Sequence, residues 1–585
     1  GLSPAEMREL VVETDWRSVL DDRPPRRQLP FRRKVDDLDY LARFEIGFNG
    51  GRFQLPPALI SGQKLGFMLQ WLTVPALGVG TFDQLPIPFR AVATDLETGE
   101  EVVLSSGDLG RALRASMAVP GIFSPVELGG RLLVDGGMVN NLPVDEARAL
   151  GAEVVIAVDV GDAPRTREEL DSLTRITSQI INLSIRRTVE QQARDADILI
   201  EPELEGFSSG DFMRGGEMLP MGRDAAETHI SELEDLAVSE AVYQRWRRRV
   251  RELPEPPDQV ESIQVTTAST ADPELVMRRV RSRAGDRFDL EQARRDLERL
   301  YTLGDYERVD LRLTEGREGV MVEIEAHEKS WGPNILRFGV NLEADLEGES
   351  SFNLLANYTM TQLNRARGEA KFSARLGEEP TFSAELYQPL AATSPLFVAA
   401  SAGQETSDIY TYRGGSRIAR STLDVVRGGL EVGLSLGRFG ELRTGLARGV
   451  GRASVDVGTV EDPELEFEWA GWRTRLILDQ LDNPNFPRDG YLVGAELLIA
   501  REGLGSDLDY RRFQADGTAV VSRGRSTVLG SLAYGTSGGT TLPVWTRFDL
   551  GGLFRLSGMP RGAVAGQRLA LASGLYYVRL ARMPP

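Results

Sequence analysis

The sequence predicts three folds in succession: an α/β domain, a small β-α-α-β-β domain and an antiparallel transmembrane β-barrel. Three observations carry this reading. Residues 1–250 alternate short apolar runs with stretches of helical periodicity. The cluster Pro254-Glu255-Pro256-Pro257 then interrupts the chain. From Trp331 onward the apolar period becomes two. A chain of 585 residues has room for about three to five domains. The boundaries fall at 1–240, a basic and proline-rich linker at 241–257, 258–329, and 331–585.

In the first domain, Leu132–Val134 reads as a strand, with Pro143 suited to the start of the following helix. Val154–Val160 is an apolar run between Gly151 and Gly161, as a buried strand would be, and Ile198–Ile200 is a second. Between them Leu173, Ile176, Ile180 and Leu183 are spaced three and four apart, one face of a long helix. Strands alternating with helices make an α/β sheet. The run Tyr243–Leu253 is rich in arginine; it reads as a solvated helix face, with a phosphate-binding patch as the alternative.

In the second domain, Ile263–Thr267 is a strand and Pro273–Val280 a helix. Asp289 caps a second helix with Leu290, Ala293, Leu297 and Leu300 on one face and Gly304 beyond its end. Tyr306–Leu313 and Val320–Glu328 are strands about a turn at Gly316. In the third, Leu336, Phe338, Val340 and Leu342 alternate with Arg337, Gly339, Asn341 and Glu343. Ala370–Leu376 and Leu430–Leu436 repeat the pattern. Segments of about ten residues with one apolar and one polar face mark a transmembrane barrel. A soluble sandwich also alternates, but charged residues in mid-strand suit a water-filled lumen. About 12 such strands fit before residue 580. A barrel must close to satisfy its edges in lipid, so further strands are expected.

Composition narrows the function. Lys+Arg 68 against Asp+Glu 87 gives a net charge of −19, which argues against a nucleic-acid partner. The absence of cysteine excludes disulfide scaffolds and a cysteine nucleophile, and two histidines exclude a histidine-rich metal centre. No cofactor is expected. His229 and His327 lie in a helical stretch and in the second domain, neither placed for a triad. No run of 18 apolar residues exists; the nearest, Leu65–Gly80, is broken by Gln70 and Pro75.

Several motifs resemble known families. The stretch from Leu297 to Val309, L..LY..G.Y..V, is similar to the polypeptide-transport-associated (POTRA) module. Asp482-Asn483-Pro484-Asn485-Phe486-Pro487-Arg488-Asp489-Gly490 resembles the D-N-x-x-F-P-x-x-G turn of the bacterial surface-antigen superfamily of outer-membrane assembly factors and two-partner secretion transporters. Leu556–Gly562 resembles its lumen-inserted loop, with Pro560 and Ala563 at the flanking positions. That resemblance implies Arg561 as the loop's lock, and 16 strands in the complete protein.

The first 240 residues resemble bacterial patatin-like phospholipases. The matching stretches are Pro88-Phe89-Arg90-Ala91-Val92-Ala93-Thr94-Asp95-Leu96 with Gly99-Glu100, then Ala115–Val126, then Leu133-Val134-Asp135-Gly136-Gly137. The family implies a Ser-Asp dyad in which the aspartate, here Asp135, takes the serine proton directly. Gly136 and Gly137 form the motif's turn. Alone, Asp-Gly reads as an ordinary turn.

The family places its nucleophile in a G-x-S-x-G elbow upstream of all these stretches. That pattern occurs here at Gly206–Gly210, around Ser208, and at Gly535–Gly539, around Ser537. The first follows Asp135, against the family order, and the second falls between two barrel strands. Gly1-Leu2-Ser3-Pro4 resembles the stretch that follows the elbow's helix, so the serine and oxyanion donors are expected before Gly1.

The whole chain resembles a type Vd autotransporter: a patatin-like passenger, one POTRA module and a surface-antigen barrel. The resemblance implies hydrolysis of phospholipid or other lipid esters by the complete protein. It places the barrel in the Gram-negative outer membrane, POTRA in the periplasm, and the passenger at the cell surface or secreted. Outer-membrane lipid and the outer-membrane assembly machinery are the implied partners. An inert passenger on a secretion or assembly barrel, and a soluble lipase with a sandwich, remain as alternatives.

Overall fold

The computed structural model describes residues 2–39, 45–161, 164–208, 210–251, 259–267, 273–344, 350–413, 416–458, 464–552, 555–560 and 562–581. The chain opens with the helix Pro4–Glu13, capped by Ser3 in a capping box with Glu6. Two short strands follow later, β1 (Ile46–Asn49) and β2 (Arg52–Gln54). The α/β domain then builds a four-stranded sheet, order β4-β3-β6-β5, from β3 (Ala91–Asp95), β4 (Glu101–Leu104), β5 (Val126–Leu128) and β6 (Arg131–Asp135). The helix Leu109–Ser116 lays Ala112 and Ala115 on this sheet against Ala93, Leu133 and Phe82. Such small residues allow close helix–sheet approach.

A second sheet pairs β7 (Ile156–Val158) with β8 (Ile198–Ile200) in parallel, joined by the helix Leu173–Ala193. Here the structure corrects two sequence expectations. Only Val155 and Ala157 of the apolar run reach the core; Val154, Ile156, Val158 and Val160 are exposed. The helix packs through Ile185, Val189 and Ala193, while Ile176, Ile180 and Leu183 face outward. The side chain of Leu173 is not among those described. Periodicity located an apolar stripe, but the stripe that finds neighbours lies one to two turns further along.

The second unit carries β9 (Val260–Thr267), the helices Pro273–Met277 and Leu290–Tyr301, β10 (Tyr306–Glu315) and β11 (Val320–Glu328). Its sheet order is β10-β11-β9, antiparallel then parallel. The Asp289 carboxylate accepts from the N–H groups of Glu291 (2.9 Å) and Gln292 (3.2 Å), which starts the longer helix. Leu297, Leu300, Val309, Leu311 and Ile324 form the core, and Phe67 and Leu77 of the first domain pack on it. Buried Gln63 binds this unit's backbone at both ends of its amide. Its Nε2 donates to the Val309 carbonyl and its Oε1 accepts from the Val309 N–H, each at 2.6 Å.

The third unit is a meander in which each strand pairs antiparallel with the next: β12 (Asn334–Ala344), β13 (Ser350–Met360), β14 (Glu369–Gly377), β15 (Thr381–Pro389), β16 (Leu396–Arg413), β17 (Ser416–Ser435), β18 (Gly440–Gly458), β19 (Glu464–Asp479), β20 (Gly490–Ala500), β21 (Tyr510–Arg523) and β22 (Ser526–Thr536). The small hairpin β23 (Phe548–Leu550) and β24 (Val564–Gly566) comes next. The last strand, β25 (Arg568–Val578), returns to pair with β22. One face exposes Phe338, Phe372, Leu430 and Leu446; the other holds Arg337, Lys371, Glu431 and Arg443 half-buried or buried.

The sheet is rolled with the charged face inside. Lys34 bonds the Asp479 carbonyl at the end of β19, and Asp36, two residues on, bonds Arg337 of β12. Seven strand spacings of about 4.8 Å would separate those strands by roughly 34 Å if the sheet were flat. The loop after β22 turns back to the inward face, where Phe548 joins Leu498 and Tyr510, and Trp545 stacks on Phe467. Among the described residues no helix is long and apolar enough to cross a membrane, which says nothing of strands.

The turn between β19 and β20 is held by its own aspartate and asparagine side chains. Asp482 Oδ1 accepts from the N–H groups of Arg488 and Asp489, Asn483 Oδ1 from those of Asn485 and Phe486, and Gly490 takes a positive φ of 111°.

Residues 26–39 and 45–54, which the sequence assigns to the α/β domain, leave it. The helix Phe31–Asp39 lies against the inward face of the rolled sheet, and β1 pairs with β12, so that sheet has 14 strands with β2 at one edge.

Candidate active site

Asp135 ends β6, beside β3. Its N–H donates to the Ala118 carbonyl (3.0 Å), and its carbonyl accepts from Thr94 Oγ1 (2.8 Å). The backbone is thus fixed by residues of the two other motif stretches. After Asp135 the chain makes one 3₁₀ turn, Gly136–Met138. A Cβ on Gly136 would collide with the Val92 carbonyl oxygen, so the close approach of this turn to β3 requires glycine.

The Asp135 carboxylate accepts from the Gly137 N–H at 2.7 Å. Burial pushes its pKa above the ordinary 3.8, against the lowering effect of that N–H. A raised carboxylate is a better base than a solvated one. The site therefore offers one carboxylate, partly desolvated and held by its own turn.

The other candidates lie elsewhere. Ser208 is part of a surface turn in which its Oγ and N–H both donate to Asp211 Oδ2 at 2.8 Å. Ser537 is buried in the loop after β22, in the third unit, with its carbonyl accepting from Thr540. His229 precedes a short helix and pairs with Glu232 at 3.2 Å. His327 sits on β11 within 3.3 Å of Asp310 and 3.8 Å of Glu325. Those two carboxylates push the imidazole up to about 9. Asp310, Glu325 and His327 are close enough to share a cation. Their oxygens are already taken by Arg308 (2.7 Å), Arg111 (3.1 Å) and Arg312 (2.5 Å), so the group is an ion-pair network, and Arg111 ties it to the first domain. Arg561 lies outside the described residues.

Two family models match this chain. Residues 1–148 match the patatin-like phospholipases, and residues 304–569 match the Omp85 superfamily domain. The chain joins a patatin-like domain to an Omp85-superfamily domain. The first match contains Asp135 and all three stretches that position it. An uncharacterized NTE family protein of Mycobacterium tuberculosis is 37% identical over 123 residues, 19% of this chain and 34% of that protein. Patatin-like phospholipase domain-containing protein 7 of Mus musculus is 44% identical over 86 residues, 14% of this chain and 6% of that protein. The matched part thus spans about a third or less of the length of these curated relatives. Among solved structures, BamA of Haemophilus ducreyi lacking POTRA domains 1–3 aligns at 15% identity and a TM-score of 0.39, over 52% of this chain and 60% of that one. CdiB of Escherichia coli aligns at 15% and 0.37, over 56% and 63%.

Sequence reasoning placed Asp135, Gly136 and Gly137 in one turn after a strand, where the structure has them. It missed Thr94 and Ala118 as the groups that fix the Asp135 backbone, although both stand in quoted motif stretches. It also missed Gln63. No local signal marks that glutamine, because its partner lies 246 residues away.

Proposed function

We propose that Asp135 is the base of a Ser-Asp dyad that hydrolyses lipid acyl esters in the complete protein. In this reading, the Asp135 carboxylate takes the serine Oγ proton as that oxygen attacks the ester carbonyl. The alcohol leaves, and water then releases the fatty acid from the acyl-serine. The observation that carries the reading is the held, desolvated carboxylate of Asp135 on a glycine turn inside the patatin-matching region. In this reading the serine is supplied from outside residues 1–585. The exposed apolar residues of β7 and of the helix Leu173–Ala193 support this, because they leave a face on which a further strand and helix could pack.

We further read residues 258–329 as a POTRA module. Residues 331 onward are read as an outer-membrane barrel that carries the patatin-like domain, residues 1–240, to the cell surface, as in type Vd autotransporters. Arg561 would lock the loop that bears it. A second reading, an inert domain on a transport barrel, draws on one fact: the side-chain partner of Asp135 is its own turn, as in any Asp-Gly cap.

The test compares turnover of a short-chain nitrophenyl ester by residues 1–585, by the chain extended upstream to its native start, and by that extended chain with Asp135→Asn, Ser208→Ala or Ser537→Ala. Only Asp135→Asn should lower the extended chain's rate, by a factor of about 10²–10⁴. Residues 1–585 should be inactive. Activity lost with Ser208→Ala or Ser537→Ala would make that serine the nucleophile, and an inactive extended chain would leave the second reading.

A further inference from the structure

The helix Glu240–Arg251 follows the α/β domain and carries five arginines, Arg245, Arg247, Arg248, Arg249 and Arg251, against one acid, Glu240. In a chain of net charge −19 it is a cationic island. Val242, Tyr243, Trp246 and Val250 share one side of the helix. Arg245 and Arg249 border that side along one edge and Arg247 along the other. Only the far end of the apolar side is covered: Val250 is buried, and Arg251 beside it pairs with Glu6 at 3.3 Å. Val242, Tyr243 and Trp246 are each 40% exposed, the last two with their rings stacked at 5.9 Å. Leu236 and Val238, just before the helix, are exposed as well.

An ordinary solvated helix neutralises its own charge, and this chain holds one for comparison. In the helix Leu290–Tyr301, Arg294 pairs with Glu291 and Glu298, Arg295 with Asp289, and Arg299 with Asp296. In Glu240–Arg251 the one acid accepts from Gln244 instead, and Arg248 donates to the Gln244 carbonyl. Arg245, Arg247 and Arg249 have no ion pair among the described residues. The helix dipole favours cations in the last turn, but its reach ends there. It accounts for neither Arg245 nor the bare aromatic pair.

Uncompensated guanidinium groups beside exposed tryptophan and tyrosine suit one kind of surface. Indole and phenol rings settle where an apolar layer meets water, and arginines reach from there to anionic head groups. A nucleic acid offers phosphates but no apolar layer for Val242 and Trp246. The α/β domain is also held where such a layer would lie. Gln63 bonds Val309 of β10, and Asp305, at the foot of β10, pairs with Arg367 in the turn between β13 and β14.

We propose that the helix Glu240–Arg251 is an interfacial anchor that holds the α/β domain against a leaflet of anionic phospholipid. Val242, Tyr243 and Trp246 enter the head-group boundary, and the arginines that border them meet the phosphates. That a bilayer lies beside the helix rests on the outer-membrane barrel reading above; the preference for an anionic lipid surface does not.

The chain has no cysteine, so Val242→Cys takes a single environment-sensitive fluorophore. The labelled full chain is placed in nanodiscs of phosphatidylcholine alone or mixed with phosphatidylglycerol. The expected result is blue-shifted emission, quenched by spin-labelled lipid, with phosphatidylglycerol and not without it. High salt should abolish the shift, because it screens exposed charges. Arg245→Glu with Arg249→Glu should cut the quenched fraction at least about fivefold, the weight of roughly one arginine at an anionic surface. Arg245→Lys with Arg249→Lys should keep it, and Trp246→Ser should lower it. Emission that is the same in both discs overturns the proposal: if blue in both, the face is covered by protein, either this chain or a second copy, and if red in both, it stays in water. Quenching that survives the two Arg→Glu changes overturns it too, because charge would then play no part. A chain that enters neither disc removes the barrel reading alone. The labelled chain is then mixed with phosphatidylglycerol vesicles, and its emission there decides the anchor by the same criteria.

Discussion

The two large sheets of this chain use strands of similar composition and put them the opposite way round. In the α/β domain Ala93 and Leu133 are fully buried, while Glu101, Glu127 and Arg131 of the same sheet face water. In the rolled sheet Leu430 is 70% exposed while its neighbour Glu431 is 4% exposed. Alternation by itself fixes only that two faces differ. The identity of the solvent on each face follows from where charges are held by other charges. Glu431 is bonded by Arg473 (3.1 Å) and Arg475 (2.9 Å), with Arg443 at 3.7 Å, all on the inward face. No such network lies in the four-stranded sheet, whose core cluster is apolar throughout.

The largest effect should therefore come from the inward face of the rolled sheet. Glu431→Leu leaves three guanidinium groups without their shared acceptor, and losing one partner of a buried ionic group costs about 3–5 kcal/mol. The folded form in detergent, read as the fast-migrating band on unheated gels, should be lost at a markedly lower temperature. Unchanged thermal behaviour would mean that the inward face is open to water and that the network matters little.

The outward face gives the next effect. Leu430→Arg should cost about 2–4 kcal/mol if the residue meets the middle of a bilayer, and almost nothing if it meets water. The measurement is folding yield into lipid vesicles as a function of urea. A wild-type midpoint would break the comparison, because the exposed leucines would then be wet.

Much of this arrangement is legible in the sequence, for physical reasons that differ by region. Period-two patterning survives in β12, β14 and β17 because each strand reports both its faces within a few residues. Ser3 and Asp289 are legible as caps because a cap and the N–H groups it accepts from lie within three residues. Asp135 stands out only through the family stretches around it, because an Asp-Gly pair alone reads as an ordinary turn. The segment from Arg26 to Asn49 is not legible. Its charges read as an ordinary solvated surface, and the groups that define it, Asp479, Glu369 and Arg337, lie some 300–450 residues away. The outward stripe of the helix Leu173–Ala193 misleads for a related cause: spacing reveals an apolar face but not which element covers it.

Asp135 offers a smaller test with a defined sign. Burial raises its folded-state pKa above the unfolded value, so the folded state holds its proton to higher pH. Stability from this group is fully present below the unfolded value of 3.8 and is lost as pH rises through the raised folded value. Asparagine keeps the acceptor for the Gly137 N–H and carries no charge. Asp135→Asn should melt above wild type at neutral pH, with the gap closing in mild acid. A variant that melts below wild type at neutral pH would show that the carboxylate is stabilised where it stands, as a structural cap would be, and not strained as a base.

The smallest effect separates two kinds of exposed apolar residue. Ile180 is 64% exposed, close to Leu430, yet it lies on a helix of the α/β domain and not on the rolled sheet. With water on that face, Ile180→Arg in residues 1–585 should change stability by no more than about 0.5 kcal/mol, the usual range for an open surface site. The same substitution in the chain extended to its native start should cost more, because a strand and helix packed there would bury the new charge. Equal, negligible costs in both chains would leave that face open to water in the complete protein. The serine of the dyad would then have to reach Asp135 from an element that packs elsewhere.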